Sequence, residues 1–215
     1  MLLVADVGNT NTKIGVFDGQ RLLVSWRLTS RREQTADEYG LFIEPGVNTR
    51  MPLAVDAPRE VGADRYVDAF AATAKYGPPL IVIDFGTATT FNCVNGRGEF
   101  IGGAIAPGIV TSVDALVNRA ARLSRVELVR PKEAIGRNTA TNLQSGAIYG
   151  YAGLVDGLVE RMQAEMGGGA KVIATGGNAG LLTDVARCIE RVEEHLRLDG
   201  LRMLYEEGHP AGSRR

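Results

Sequence analysis

The chain has 215 residues, 45% of them hydrophobic, and a formal charge of -1. This length accommodates one sizeable domain or two small ones with a core able to offset chain entropy. Acidic and basic residues are interspersed, so no basic face for nucleic acid is expected. No apolar run approaches the roughly 18 residues of a membrane helix, and Asp6 breaks the first apolar run too early for a secretory leader, so the expected location is cytoplasmic. The two cysteines, Cys93 in a strand and Cys188 in an expected helix, lack ligand-like spacing and a nearby His, and read as buried reduced thiols.

Taken in order, Leu2 to Ala5 is an apolar strand, expected to be fully buried, that ends in Asp6 at a sheet edge. Gly8 follows as a turn, then Asn9, Thr10, Asn11 and Thr12, whose hydroxyls, amides and backbone N–H groups suit phosphate oxygens. Gly15 to Phe17 and Leu22 to Leu28 extend the hairpin into a meander with Asp18-Gly19 at its turn. Trp26 reads as a core or sheet-face aromatic rather than a ligand platform. Thr35 to Ile43 is a short amphipathic helix, and Glu44 to Glu60 a proline-rich loop with room for one short strand. Val61 to Tyr76 is a helix, with Asp64 in its first turn and Gly77-Pro78 after it.

Leu80 to Ile83 then repeats the opening: a buried strand ending in Asp84, a turn at Gly86, and a hydroxyl run of Thr87, Thr89 and Thr90 leading into another strand. A carboxylate beside phosphate is repulsive unless a cation lies between them, so Asp6 and Asp84 are candidate cation-holding residues, direct or through water. One D-x-G-x-T serves equally as an ordinary Asx turn; two copies at the starts of two chain halves point to a function. Gly98 to Pro107 is a strand entering a Gly-rich loop, and Ile109 to Leu123 a helix. Asn138 to Met166 is a long helix carrying Gly146, Gly150, Gly153 and Gly157. Each such Gly lowers helix stability by up to about 1 kcal/mol relative to Ala, offset either by close packing across a dimer interface or by crowding inside one subunit. Lys171 to Thr175 is a last apolar strand. It runs into Gly176, Gly177 and Asn178 before an amphipathic helical stretch from near Leu181, a turn that allows close backbone approach to a ligand. His195, in a charged helix, and His209, in the polar tail, read as solvated residues.

Together, the two hairpins and the later strand-Thr-Gly-Gly resemble the actin, hexokinase and Hsp70 superfamily of ATP-binding folds. That resemblance implies an α/β fold of two related actin/ribonuclease-H-like domains with mixed sheets flanked by helices. The division would be 1–76 for an abbreviated N-terminal domain, 77–208 for a C-terminal domain, and 209–215 for the tail. A narrower set of motifs runs through most of the chain: DVGNTNTK at Asp6 to Lys13, EVGADR at Glu60 to Arg65, IDFGTATTF at Ile83 to Phe91, GGAIAPG at Gly102 to Gly108, GRNT at Gly136 to Thr139, SGAIYGYAGLVDG at Ser145 to Gly157 and IATGG at Ile173 to Gly177. In this order they resemble type III pantothenate kinase.

The resemblance implies ATP-dependent phosphorylation of the primary hydroxyl of pantothenate, the first committed step towards coenzyme A, with Mg2+ and a monovalent cation, K+ or NH4+, in a homodimer. ATP would be held by Asp6, Val7, Gly8, Asn9, Thr10, Asn11, Thr12, Lys13 and Thr87, with Lys13 acting as a point charge. Asp84 matches the position associated with the monovalent cation. Gly62, Ala63, Asp64, Arg65 and Thr139 match substrate-binding positions, Thr139 acting from the neighbouring subunit. Asp64 is the candidate general base: a primary alcohol is too weak an acid to ionise first, so a carboxylate accepting its proton as the new bond forms suffices. A helix-start carboxylate that complements the helix dipole is the other reading of Asp64. Arg65 would engage the pantothenate carboxylate or order Asp64.

Three departures stand out. Between Ile43 and Glu44 the family carries a further helix-strand-helix block of roughly forty residues, and the space here is too short for the crossover that two parallel strands require. A sheet without that strand exposes an edge and apolar surface. Val55 stands where a substrate-touching Tyr is common, and Asn92 where an Asp is common. Two alternatives stay open: a catalytically impaired nucleotide-binding accessory or regulatory protein of the same fold, and a small-molecule kinase with another substrate.

Overall fold

Alternating apolar residues near the N-terminus form an antiparallel meander of β1 (Leu2–Val7), β2 (Asn11–Asp18) and β3 (Arg21–Thr29), with Asp6 opposite Lys13 across the first pair. The computed structural model describes residues 1–8, 11–29 and 51–208. After α1 (Ala63–Tyr76), β4 (Leu80–Phe85), β5 (Ala88–Val94) and β6 (Phe100–Pro107) form a second meander, followed by α2 (Ile109–Arg119) and α3 (Thr139–Met166). β7 (Lys171–Thr175), a two-residue β8 (Arg191–Val192) and α4 (Leu196–Gly208) complete the described chain.

The second sheet has the order β6-β5-β4-β7-β8, with β4 antiparallel to β5 and parallel to β7. A central strand covered on both faces has no use for polar alternation, and all six residues of LIVIDF are buried. Alternate side chains serve opposite layers. Ile81, Ile83 and Phe85 pack with Ile148, Ala152 and Val155 of α3, whereas Leu80 and Val82 pack with Tyr66, Val67 and Phe70 of α1. α1, which the sequence division places in the first part of the chain, therefore lies on the second sheet. Its end is tied to the other half by Lys75, 2.6 Å from Glu193 and 2.9 Å from Asp199.

The first sheet is the weaker layer. Its buried cluster is Val4 and Phe17 against Leu198 of α4, so α4 joins the two sheets, with Leu196 in the α1 layer. Leu3 is 65% exposed and Leu28, Leu23 and Val7 are exposed as well, which corrects the expectation of a strand buried on both faces. The physical reason is topological. Among the described residues β1 has β2 on one side and no strand on the other, whereas its counterpart β4 has both β5 and β7. At about 1.5–3 kcal/mol for each fully buried Leu, Val or Ile, the described contacts of β1 supply less burial than those of β4.

Several local expectations change. Gly102 and Gly103 of GEFIGGAIAP lie inside β6, not in a loop after it. A Cβ on Gly103 would overlap the carbonyl oxygen of Phe91 and lie 2.7 Å from its carbon, so this strand passes β5 too closely for any side chain. α2 ends at Arg119 rather than Leu123. No α-helix opens after Gly177 where one was expected: Ala179–Leu181 is one 3-10 turn and turns continue to Val185, so Cys188 is half-buried in a non-helical segment. Burial pushes the Cys93 thiol up to about 11, and burial with Asp156 beside it pushes Cys188 up to about 12, as expected for unreactive thiols. α3 follows its expected span, capped by Asn138, whose side chain accepts from the Thr141 backbone N–H. Among the described residues nothing lies within 4 Å of a Cβ added at Gly146, Gly150 or Gly153, so crowding inside the subunit does not account for them. The expected helix at Thr35 to Ile43 and the tail 209–215 lie outside the described residues.

Candidate active site

The two Asp-ended strands bring their carboxylates to one guanidinium. Arg197, in the first turn of α4, places Nη2 2.6 Å from Asp84 at the end of β4 and Nη1 3.3 Å from Asp6 in β1. Its third partner is Asp68 on the buried face of α1, which accepts from Nε at 3.1 Å and from Nη2 at 2.5 Å. Two N–H bonds from one fork to one carboxylate fix the plane of the guanidinium as well as its charge. Burial raises the Asp68 carboxyl to about 7, against the opposing pull of Arg197, with Asp84 and Asp6 adding to the rise. One guanidinium divided among three acids leaves burial dominant at Asp68. Burial opposes the charge on Arg197, but the same three acids together raise its pKa and keep it charged.

Neither Arg197 nor Asp68 was reached from the sequence. Asp68 carried a readable sign, an acid inside the apolar run Tyr66-Val67-Asp68-Ala69-Phe70. Arg197 carried none, because a basic residue on an amphipathic helix is ordinarily solvated.

Beside this cluster an open cleft of about 590 Å³ lies between the first sheet and the Gly176-Gly177 turn. Lys13 and Arg27 supply positive charge to it and Glu194 one negative charge, Trp26 an aromatic wall, and Gly176, Gly177 and Gly180 a floor on which the Arg27 guanidinium packs against Gly177 while Gly180 stays open. Trp26 is 48% exposed and on the cleft, so it is available to a ligand after all. His195 also lines the cleft, half-buried in the turn before α4 rather than within a helix. A cationic, glycine-floored cleft fits a polyanion with a flat end group such as a nucleoside triphosphate. Of the expected phosphate-holding residues, Val7 is exposed, Gly8 half-buried and Thr12 buried; Asn9 and Thr10 lie outside the described residues, and Asn11 begins β2. Thr87 sits at the second turn, its carbonyl accepting from the Gly108 N–H at 2.9 Å and the Thr111 hydroxyl at 2.8 Å.

Asp64 stands exposed in the first turn of α1, after Gly62 and Ala63. No hydrogen bond or ion pair engages its carboxylate among the described residues, and α1 has no side-chain cap. Arg65 does not hold it. The Arg65 guanidinium donates to Asn92 Oδ1 at 2.7 Å and to the Phe91 carbonyl at 3.4 Å, and lies over the Phe100 ring. Burial lowers the Arg65 pKa, with Asp64 acting in the opposite sense. The Asn92 amide nitrogen and the Thr89 hydroxyl are buried without a partner among the described residues. Val55 is half-buried against Gly102. Thr139 is exposed at the start of α3, and no contact among the described residues joins it to Asp64 or Arg65.

The family model for type III pantothenate kinase matches residues 2–48 and 41–161. The chain belongs to this family. It is 46% identical to the type III pantothenate kinase of Moorella thermoacetica and 45% identical to that of Geobacter sulfurreducens, matches that cover 96% of this chain and 99% and 98% of those relatives. Each alignment spans 251 positions against a chain of 215 residues, so at least 36 positions (251 less 215) face no residue here. The two family-model matches overlap at 41–48, around the Ile43-Glu44 junction. Among solved structures, a putative Baf family transcriptional activator from Campylobacter jejuni superposes with a TM-score of 0.60 at 18% identity over 96% of this chain and 98% of that one. A ROK hexokinase from Thermus thermophilus gives 0.52 at 18% identity over 98% and 99%. These likenesses establish the hexokinase-like α/β fold. Membership of a type III pantothenate kinase family brings with it ATP and a divalent metal as the family's reagents, and a small molecule as substrate.

Among the described residues no helix is long and apolar enough to cross a membrane.

Proposed function

We propose that this chain transfers the γ-phosphoryl group of ATP to the primary hydroxyl of pantothenate. The observation that carries the reading is the state of Asp64: exposed, free of ion pairs among the described residues, and set in an intact Gly62-Ala63-Asp64-Arg65 motif of a type III pantothenate kinase. A carboxylate that caps no helix and pairs with no cation is available to accept a proton. Phosphoryl transfer asks mainly for positioning and charge compensation, and the residues divide accordingly. Lys13 and Arg27 neutralise the polyphosphate along the cleft, and Gly180, with nothing within 4 Å of where a side chain would stand, admits the nucleoside close to the backbone. Thr87 and Asp6 to Thr12 cradle phosphate oxygens from the two hairpins. Asp64 holds the proton leaving the substrate hydroxyl, and Gly62, whose Cβ would stand 2.5 Å from Asp64 Oδ1, leaves room for that carboxylate. Mg2+ requires only one or two carboxylates beyond phosphate and water, and Asp6, half-buried at the cleft end of β1, is the residue suited to it.

The monovalent cation fits less well. Asp84 Oδ2 is paired with Arg197, and its other oxygen lies against Gly176. Among the described residues no group of three His, Cys, Asp or Glu side chains is placed to share a metal ion.

A homodimer, with the open glycine face of α3 as contact and Thr139 serving the partner's site, is part of the reading, as is a cytoplasmic location. The β1 to β3 sheet, exposed on one side among the described residues, favours a second reading, a nucleotide-binding accessory protein that has lost catalysis. Pantothenate-dependent ADP release by the folded protein with ATP and Mg2+ decides between them: its presence supports the kinase, and its absence in a sample that still binds ATP supports the accessory protein.

A further inference from the structure

The geometry points to Arg197 as a cation built into the chain, standing in at Asp84 for the free monovalent cation that the active site would otherwise need. The inference rests on the reading of Asp6 and Asp84 as the carboxylates beside the nucleotide phosphates. Four observations carry it. Arg197 is the shared partner of Asp6 at 3.3 Å, Asp84 at 2.6 Å and Asp68 at 2.5 Å, so a fixed positive charge occupies the point where the first and second Asp-ended strands meet. Asp68, fully buried and bonded through both oxygens, orients that charge and leaves Nη1 and Nη2 turned towards Asp6 and Asp84. Asp84 is already engaged: Oδ2 accepts from Arg197 at 2.6 Å, and Oδ1 packs so close to the Gly176 backbone that a Cβ there would stand 2.3 Å from it. Leu196 and Leu198, on either side of Arg197, are buried in two different apolar clusters, so the backbone bearing the guanidinium is anchored against both sheets.

The chemistry is economical. A monovalent cation between two carboxylates and a polyphosphate supplies one positive charge at a fixed place, and a guanidinium held by a buried carboxylate supplies the same charge without equilibrium with solvent. Arg197 is thus a positioning residue: it contacts Asp6 and Asp84, sets the distance between the ends of β1 and β4, and removes the site's demand for K+ or NH4+.

Thallium NMR tests the inference directly, with Tl+ as the probe for a K+ site, each titration run without nucleotide and again with Mg2+ and a non-hydrolysable ATP analogue so that the polyphosphate side of the site is present. The native protein is expected to show no saturable Tl+ site and the same melting temperature in KCl as in tetramethylammonium chloride of equal ionic strength. Arg197→Met is expected to gain one saturable Tl+ site and a higher melting temperature in KCl, and adding Asp84→Asn to it should abolish both. A saturable Tl+ site in the native protein that Asp84→Asn removes overturns the inference, and so does a folded Arg197→Met protein with no site. Should Arg197→Met fail to fold, the native titration decides alone: a Tl+ site refutes the inference and its absence upholds it. Since no turnover is involved, failure of the kinase assay leaves this result standing, and a native Tl+ site leaves the kinase reading standing.

Discussion

A Cβ on Gly176 would overlap Oδ1 of Asp84 and lie 2.6 Å from the backbone nitrogen of Phe85, in a backbone whose φ is +96°. The turn after β7 and the end of β4 thus approach to a distance that only glycine permits. Gly176→Ala is expected to cost at least about 3 kcal/mol, backbone strain of about 1–3 kcal/mol adding to the overlap, and to weaken ATP binding by displacing Asp84. Urea unfolding followed by nucleotide titration measures both. Gly150→Ala supplies the contrast: it sits in a helix facing open space, and its intrinsic gain for the isolated subunit is up to about 1 kcal/mol. A loss of stability there, together with dissociation in sedimentation, would instead place Gly150 in a subunit contact.

Asp64 and its neighbour Arg65 point to different tasks, the one exposed and unpaired among the described residues, the other bonded to Asn92 and Phe91. Asp64→Asn should therefore lower kcat by about 100- to 10,000-fold, the usual worth of a general base, while stability changes by less than about 0.5 kcal/mol, as for an exposed side chain. Steady-state ADP release and thermal melting of the same sample check the pair of outcomes. Unchanged kcat would return Asp64 to a helix-dipole role.

How far the sequence carries depends on the range of the interaction. β4 and β7 were legible because an unbroken apolar run bounded by Gly and Pro leaves few alternatives, and α3 because Asn138 and Gly167 mark its ends. The burial of β1 was not legible, since Leu2 to Ala5 is as apolar as Leu80 to Ile83 and what separates them is that, among the described residues, β1 has a neighbour strand on one side and β4 on both. Gly102-Gly103 reads as a loop by local rules; what makes it strand is the approach of β5, which local rules do not contain. Asp64 and Lys13 were reached from motifs. The Asp68–Arg197 pair joins residues 129 positions apart, and neither residue type looks unusual on a helix until α1 and α4 are seen face to face.

Asn92 accepts from Arg65 Nε at 2.7 Å, yet its own amide nitrogen is buried with no partner among the described residues. An orphaned buried donor costs about 1–3 kcal/mol, and a carboxylate of the same shape would remove it and give the half-buried Arg65 a charged partner. Asn92→Asp is expected to raise stability near neutral pH by about 1 kcal/mol, somewhat less than the orphan's cost because the carboxylate must itself be desolvated. The gain should disappear in acid as the new carboxylate protonates. Denaturant unfolding at two pH values checks it, and destabilisation at neutral pH would show that Thr89 or Phe91 cannot tolerate the charge.

The last prediction follows from Asp68. Burial raises its carboxyl from the ordinary 3.8 to about 7 in the folded protein, so between those values the folded state binds a proton that the unfolded state has released. Stability therefore falls as pH rises through this window: the contribution of Asp68 is fully present below about pH 4 and lost above about pH 7. This is opposite in sense to an ordinary surface ion pair, whose carboxylate favours the higher pH. Other groups titrate in the same range, so the quantity to measure is the difference between the native protein and Asp68→Asn, whose neutral amide keeps the shape and gives up the proton equilibrium. The unfolding free energy of the native protein should decline more steeply than that of Asp68→Asn from about pH 4 to about pH 7. Equal slopes would mean that Arg197 holds Asp68 ionised throughout, with the guanidinium serving Asp68 more strongly than it serves Asp6 and Asp84.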